Sequence, residues 1–557
     1  MMSVNNGHSP SCESRAGVRH ENISSRGIEL NCGVSFFVSA TGYAMMRLAT
    51  FYVKRHFFSL VTSLTTFALA FSLLGEANAL GRPGLPPEVE AAFTAACVPD
   101  DAIAIVVEKL DAPQAGLRLL SENASQPMNP ASVMKLFTTG AALDLLGPAK
   151  TWRTEFRVLK LPVDGMLDGP LYLKGSGAPK LTMEQFWLLL RQLRLKGVSD
   201  IRGNLLLDRS LFALPPHNSA AFDGKPLQPY NTGADALLIN FNALSFLLVP
   251  DIANKRVAAL LETPAAKLRI RNRLLPVSGE CGDWRGKITV KTEGSTIELS
   301  GHYPQSCGER RLNLSPLTCD AQIEGLFRAL WSELGGTLRG KVDIGLAPAD
   351  SIAIAAQDSP PLAEAVRDIN KFSNNVMARQ LFLALSADTP PATYEKSASR
   401  LLAWLTTTGI NAPELIIENG AGLSRHDQVS ANTLAALLRR IWKSPTMAEL
   451  VSSLPILGED GTMKKRGNGQ KNGNGSGRAH LKTGYMEGVR ALAGYLLDLQ
   501  GERWLLVAVV NHPNAVRAKE AMDLLVEWVI RRPGKAPLPN PRPRPLSATI
   551  GPQANNR

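Results

Sequence analysis

Apolar positions along this chain change their period several times, and each change marks a structural boundary. A short helical stretch (Val89–Cys97) leads into two strand-like runs, AIAIVVEKL and GLRLLSEN. Helical periodicity follows Asn129-Pro130, runs through Ala141, Leu145 and Leu146, and stops at Gly147-Pro148. From about 150 to 350 the texture becomes β-like. Short runs such as TEFRVLK, GPLYLKGSG, RGNLLLD and KITVKTE are separated by Gly, Pro and Asn turns. Helical spacing returns from about 360 in LAEAVRDINKFSNNVMARQLFLAL, SASRLLAWLTTTG and SANTLAALLRRIWKS. The last part reads as strands AHLKTGY, VRALAGYLLDL and WLLVAVVNH, then the helix AVRAKEAMDLLVEWVIRR. There is no internal repeat, and one low-complexity loop (464–480) precedes AHLKTGY. The pattern predicts an α+β fold: one antiparallel sheet flanked by helices, its halves separated by a mostly β insertion.

Length and charge narrow the function classes. With 557 residues the chain is long enough for about three or four domains. Its net charge of +12 suggests an anionic partner until the charge is located. Residues 1–79 carry +2 and the acid-free end 531–557 carries +6, leaving +4 for the body between them. No nucleic-acid motif accompanies that charge, so nucleic acid is excluded as a partner. The Pro-rich tail KAPLPNPRPRPLSATIGPQANNR reads as an extended solvated appendage, with weak contact to anionic envelope polymer as the alternative reading.

Near the N-terminus, basic Arg47, Lys54 and Arg55 precede an apolar run from Phe57 to Leu74, followed by Ala77-Asn78-Ala79. That order matches a secretory signal peptide cleaved after Ala79, with translation starting at Met45 or Met46. Export to an oxidising compartment, the periplasm, is the expectation. Cysteines can pair there, and Cys97, Cys281, Cys307 and Cys319 would remain after cleavage. Four cysteines allow three pairings, which sequence alone does not choose between; Cys281 and Cys307 flank a strand-like pair and are the expected partners. No group has metal-ligand spacing, so no metal or cofactor is implied.

Three short motifs carry the chemistry. Ser132 and Lys135 form the single S-x-x-K, a spacing that puts hydroxyl and amine one helical turn apart. A lysine whose pKa is lowered by burial and nearby positive charge can take the serine proton. Lys482-Thr483-Gly484 lies in a strand-like run, where Lys and Thr can hold a carboxylate and Gly allows close backbone approach. S-x-N is less specific, occurring at Ser3/Asn5, Ser121/Asn123, Ser373/Asn375 and Ser430/Asn432. Ser430 is placed to cap SANTLAALLRR, so Ser373/Asn375, between helical stretches, is preferred.

In this order, S-x-x-K, S-x-N and K-T-G resemble the penicillin-recognising serine enzymes. Over roughly residues 90–530 the chain resembles the class C low-molecular-mass penicillin-binding proteins. Segments carrying the likeness include NPASVMKLFTTGAALDLLGP, LYLKGSGAPKL, INKFSNNVMARQL, NGAGLSRHDQVSA, SLPILGEDGTMKKR and HLKTGYMEGVRALAGYL. The 241-residue separation of Ser132 and Ser373 matches that family's inserted domains and exceeds what a compact β-lactamase leaves there. The resemblance implies a β-lactamase/transpeptidase-like catalytic domain at 80–150 and 350–531. It places an inserted β-rich domain at 151–247 and 321–349, and a second, nested one at 248–320.

It also implies a D-Ala-D-Ala carboxypeptidase or endopeptidase acting on peptidoglycan stem peptides, with β-lactams as covalent inhibitors. Ser132 would be the nucleophile and Lys135 the general base. Ser373, Asn375 and Lys482 would complete the catalytic set, with Lys482, Thr483, Gly484 and the Tyr485 backbone N–H binding substrate. A β-lactamase-type hydrolase and a non-catalytic peptidoglycan-binding protein are the alternatives. Departures from the family pattern are Asn374 and Asn419 where Asp is usual, Ala178 where an acid is expected, and Tyr485 where a hydroxyl residue is common.

Overall fold

The computed structural model of the chain describes residues 84–110, 117–466 and 475–531. The leader with its signal-like run, the basic tail and the centre of the low-complexity loop lie outside the described residues.

Five antiparallel strands form the central sheet in the order Ala479–Met486, Val489–Leu497, Arg503–Asn511, Ile103–Lys109, Arg118–Glu122. Ile103 stands opposite Val510 and Lys109 opposite Trp504, so the N-terminal strand is held by the C-terminal meander. Side chains alternate across a strand, and here both faces are covered. Ala104, Val106, Val507 and Val509 enter one core together with Phe137, Leu434 and Leu438 of helices Lys135–Leu146 and Ala431–Trp442. Ile105, Val107, Leu506 and Ala508 enter a second core beneath helices Pro87–Ala95 and Lys519–Arg531. Double coverage explains why these strands read as continuous apolar runs.

The insertion has a five-stranded sheet of its own, ordered Val342–Ile344, Leu205–Asp208, Leu171–Lys174, Arg153–Val158, Ile352–Asp358. Helices Met183–Leu195 and Cys319–Glu333 back it through Phe186, Phe327 and Trp331, which cluster with Phe156. A nested module follows, made of strands Leu244–Asp251, Arg256–Leu261 and Arg310–Leu314 and a second sheet of Arg269–Val277, Ile288–Glu293 and Thr296–Pro304. Cys281 and Cys307 are disulfide-bonded there, as expected from their flanking strands.

Three expected features need correction. The boundary at 247/248 falls inside Leu244–Asp251, and that at 320/321 falls inside Cys319–Glu333. Strand Ile352–Asp358 pairs with Arg153–Val158, so the insertion runs past 350 to Asp358. The boundary at 350 followed a change in texture, and texture does not show that this segment's strand partner is distant in sequence. The insertion is also less purely β than expected. Phe186, Leu189, Leu190 and Leu193 have helical spacing and are buried, a period the β-rich surroundings masked.

Ser430 does cap its helix, its Oγ accepting the Thr433 N–H at 3.1 Å. The apolar run 362–385 is broken at Ser373, which adopts the left-handed conformation (φ 55°) at the end of Leu362–Phe372. Asn374 then caps Asn375–Ala384 by accepting the Met377 N–H at 3.0 Å. Ser373 and Asn375 thus sit at a helix–helix corner.

Candidate active site

Ser132 lies in a 3-10 turn, Ala131–Met134, that runs directly into helix Lys135–Leu146. The turn begins with Ala131 at φ 46° and is pinned by two segments far downstream. Asn511 accepts the Asn129 N–H at 2.8 Å and donates to the Asn129 carbonyl at 3.0 Å. Asn129 also donates to the Ser424 carbonyl at 2.9 Å. Two glycines allow the backbones to meet: a Cβ on Gly484 would lie 2.5 Å from the Pro130 carbonyl oxygen, and one on Gly422 would clash with the Ala131 carbonyl. Gly484 therefore permits a close approach to the nucleophile turn itself.

Lys135 is fully buried, and its Nζ has three neighbours. Ser132 Oγ is 2.9 Å away, Asn375 Oδ1 is 2.6 Å away, and the Ala421 carbonyl accepts a third contact. Burial chiefly, then the charges of Lys482 and Arg379, hold its pKa well below the usual lysine range, while Asp427 opposes them. A neutral amine has two N–H donors and one lone pair. Asn375 Oδ1 and the Ala421 carbonyl are acceptors, so they take the two donors and leave the lone pair for the Ser132 hydroxyl.

The second half of the site is the pair Ser373 and Lys482. Lys482 is fully buried on strand Ala479–Met486, 3.0 Å from Ser373 Oγ and 2.9 Å from the Thr483 carbonyl. Burial alone brings its pKa down to about 7. Because this strand is at the edge of the sheet, alternate backbone groups face away from the ladder, which is where an oxyanion can be met. Tyr485 is on that strand with its ring 60% exposed, held by the Arg490 guanidinium 4.2 Å from the ring centre. Tyr485 and Arg490 are register partners, so the ring's placement is a cross-strand effect.

Several contributing residues escaped the sequence reading. Thr462 Oγ1 is 2.8 Å from Thr483 Oγ1, on a turn anchored by the Lys371–Asp460 ion pair at 2.6 Å. Asn419 accepts the Ala421 N–H at 3.0 Å and donates to the Leu423 carbonyl at 3.1 Å, shaping the loop that presents the Ala421 carbonyl to Lys135. An Asp there would lack the second donor, so this departure from the family pattern has a local reason. Ala178 is buried in the main core, and nothing in the structure explains its replacement of an acid. Phe222, from the insertion, packs against Ala131, Met486 and Val489, with Arg425 5.2 Å from its ring centre. The only sequence signal for most of these was membership of quoted segments such as GEDGT and NGAGLSRHD.

Asp427 closes the same loop. It is fully buried, its Oδ1 accepts the Glu418 N–H at 2.9 Å, and its Oδ2 has no partner among the described residues. Burial raises its pKa from 3.8 to about 7. Its protonated form is thus favoured by folding: the associated stability is full below pH 4 and lost as pH rises through 7. Asp427→Asn keeps an acceptor without that titration. Thermal melts should show the variant gaining stability relative to the parent between pH 4 and 8; a constant difference across that range would refute the assignment.

Among the described residues, no group of three or more His, Cys, Asp or Glu side chains could hold a metal ion. No described helix is long and apolar enough to cross a membrane.

The sheet, the nucleophile turn and the two lysine–serine pairs define a serine acyl-transfer enzyme of the penicillin-recognising type. Residues 87–531 match the D-Ala-D-Ala carboxypeptidase 3 (S13) family, and the chain belongs to that family. It is 28% identical over 425 residues to the D-alanyl-D-alanine carboxypeptidase of an Actinomadura species, covering 73% of this chain and 78% of that one. It is 27% identical over 394 residues to D-alanyl-D-alanine carboxypeptidase DacB of Haemophilus influenzae, covering 70% and 81%. The crystal structure of penicillin binding protein 4 from Haemophilus influenzae superposes with a TM-score of 0.65 at 23% identity, over 79% of this chain and all of that one. That likeness concerns the fold.

Proposed function

We propose that the chain is a serine DD-peptidase that opens the bond between two D-alanine residues of a peptidoglycan stem peptide, or a D-alanyl cross-link. The observation that carries this reading is the fully buried Lys135, its pKa lowered chiefly by burial, with its Nζ 2.9 Å from Ser132 Oγ. Family membership gives the substrate class.

Ser132 Oγ attacks the scissile carbonyl carbon while its proton moves to Lys135 Nζ. Backbone N–H groups of Ser132 and Tyr485 hold the oxyanion. When the intermediate collapses, the C–N bond breaks and the leaving amine takes a proton through the Ser373 hydroxyl beside Lys482. Asn375 fixes the Lys135 amine and orients the substrate amide. Thr483 and Lys482, joined by Thr462, receive the terminal carboxylate. Water then attacks the acyl-enzyme and the ester C–O bond breaks, restoring Ser132. A β-lactam would follow the same first step, but its leaving group stays tethered and slows the second.

Export through the segment ending at Ala79 belongs to this proposal, because peptidoglycan lies outside the inner membrane. Weak envelope contact by the basic tail belongs to it as well. The test is incubation with a D-Ala-D-Ala-terminated pentapeptide and, separately, benzylpenicillin. Free D-alanine and a penicilloyl group on the Ser132 peptide are expected by mass spectrometry. Neither product, or an adduct on a different residue, would overturn the reading.

A further inference from the structure

The net charge of the folded body is not spread evenly. Residues 80–530 carry +4, and residues 244–319 alone hold eleven Lys and Arg against seven Asp and Glu. The nested module therefore accounts for the whole excess, and the remainder of the body is balanced.

Inside the module the excess has a direction. Strand Arg269–Val277 places Arg269, Arg271 and Arg273 at alternate positions, so all three side chains leave one face of the sheet. Successive guanidinium stems are about 6.7 Å apart along the strand. All three are exposed. The opposite face carries Leu274, Ile297, Leu299 and Tyr303 into the module core, so the arginine face cannot turn inward. Neighbouring strands add Lys291, Thr289, Ser300, Thr296 and His302 to the outer face. Two acids share it. Glu293 lies at its rim, and Glu298 is the register partner of Arg271 and Lys291, with its carboxylate 3.8 Å from Arg273. Arg269 and Arg271 form no ion pair among the described residues. Three arginines in a row on a rigid sheet repel one another, and the single Glu298 carboxylate beside Arg273 cannot neutralise all three, so positive charge is left for an external anion.

We infer that this face docks the peptidoglycan polymer itself, binding the carboxylates that its stem peptides present at intervals along the glycan strand. This deepens the proposed function and rests on it for the choice of partner. A row of positive charges at regular spacing suits an extended chain of carboxylates better than one small ion. Holding the polymer on the module raises the effective concentration of stem peptides at Ser132 without any new contact in the site.

The experiment uses the full chain and purified, cell-free sacculi. Co-sedimentation is measured at low and high salt for the parent protein, for Arg269→Ser/Arg271→Ser/Arg273→Ser, and for the corresponding triple Lys variant. With three positive charges removed, the Ser variant should bind sacculi about tenfold more weakly or worse. The Lys variant should stay near the parent, and salt should weaken the parent towards the Ser variant. Turnover of a short soluble pentapeptide should be equal in all three, since the row lies outside the catalytic residues, while KM on sacculi should rise in the Ser variant. Equal sedimentation of the parent and Ser variant would overturn the inference. So would a loss seen only with phosphatidylglycerol vesicles, which would make the partner a lipid surface. Failure of the parent to turn over the short peptide would overturn the proposed function instead, leaving the sedimentation result to be read separately.

Discussion

Ser132→Ala should form no covalent adduct with a fluorescent penicillin, and its release of D-alanine should fall by a factor on the order of 10⁶, the scale of losing a catalytic nucleophile. The change removes one oxygen whose single close partner is Lys135, so the fold should survive it. A thermal melt close to that of the parent is the control. The alternative nucleophiles are poor. Ser373 faces Lys482, whose other contact is the Thr483 carbonyl, and Ser430 is consumed in capping its helix. Persistent labelling of Ser132→Ala on gels would therefore sink the assignment of the nucleophile, with no second hydroxyl ready to rescue it.

Lys135→Met should leave Ser132 in place and slow acylation by about 10²–10⁴-fold, the usual contribution of a positioned general base. Methionine is similar in length and apolar, which suits a fully buried site. It leaves Asn375 Oδ1 and the Ala421 carbonyl without their donor, however, so a lower melting temperature is expected alongside. The pH profile separates the two effects. Lys135 accepts a proton only as the neutral amine, so parent acylation should rise with pH through its depressed pKa and level off well below 10.5. Stopped-flow acylation rates across pH should show that limb in the parent and lose it in the variant. A variant retaining the limb would assign the base elsewhere.

How much of this could be read from the sequence depends on how local each feature is. The nucleophile and its lysine are one helical turn apart, and Lys482-Thr483-Gly484 lies within one strand, so spacing alone placed them. Ser373 needed an inference about a break between helices, and its left-handed backbone is that break. What spacing could not show was partnership across the chain. The Ala421 carbonyl, Asp427 and Thr462 contribute a backbone atom, a buried orphan oxygen and a hydroxyl pair, none of which has a periodic signature. Gly484 was singled out for closeness of backbone, and the Pro130 carbonyl is a neighbour that spacing could not name. Sheet membership at 352–358 and the module edge at 244 failed for the same reason, since strand pairing is decided by distant segments. The charge arithmetic was correct for the ends, but averaging over the body concealed the module in which the remainder gathers.

The strand pairing has a further consequence for when the site comes into being. Ile103–Lys109, close to the nucleophile in sequence, gets its inner neighbour from Arg503–Asn511, and Asn511 itself clasps the turn at Asn129. Synthesis runs from the N-terminus, so Ser132 is made early and waits for Lys482 to arrive and for Asn511, 382 residues beyond Asn129, to brace its turn. A ribosome-bound or truncated chain carries the nucleophile without the means to use it. Synthesis of the segment carrying Lys482 and Asn511 is thus the event that switches the chemistry on.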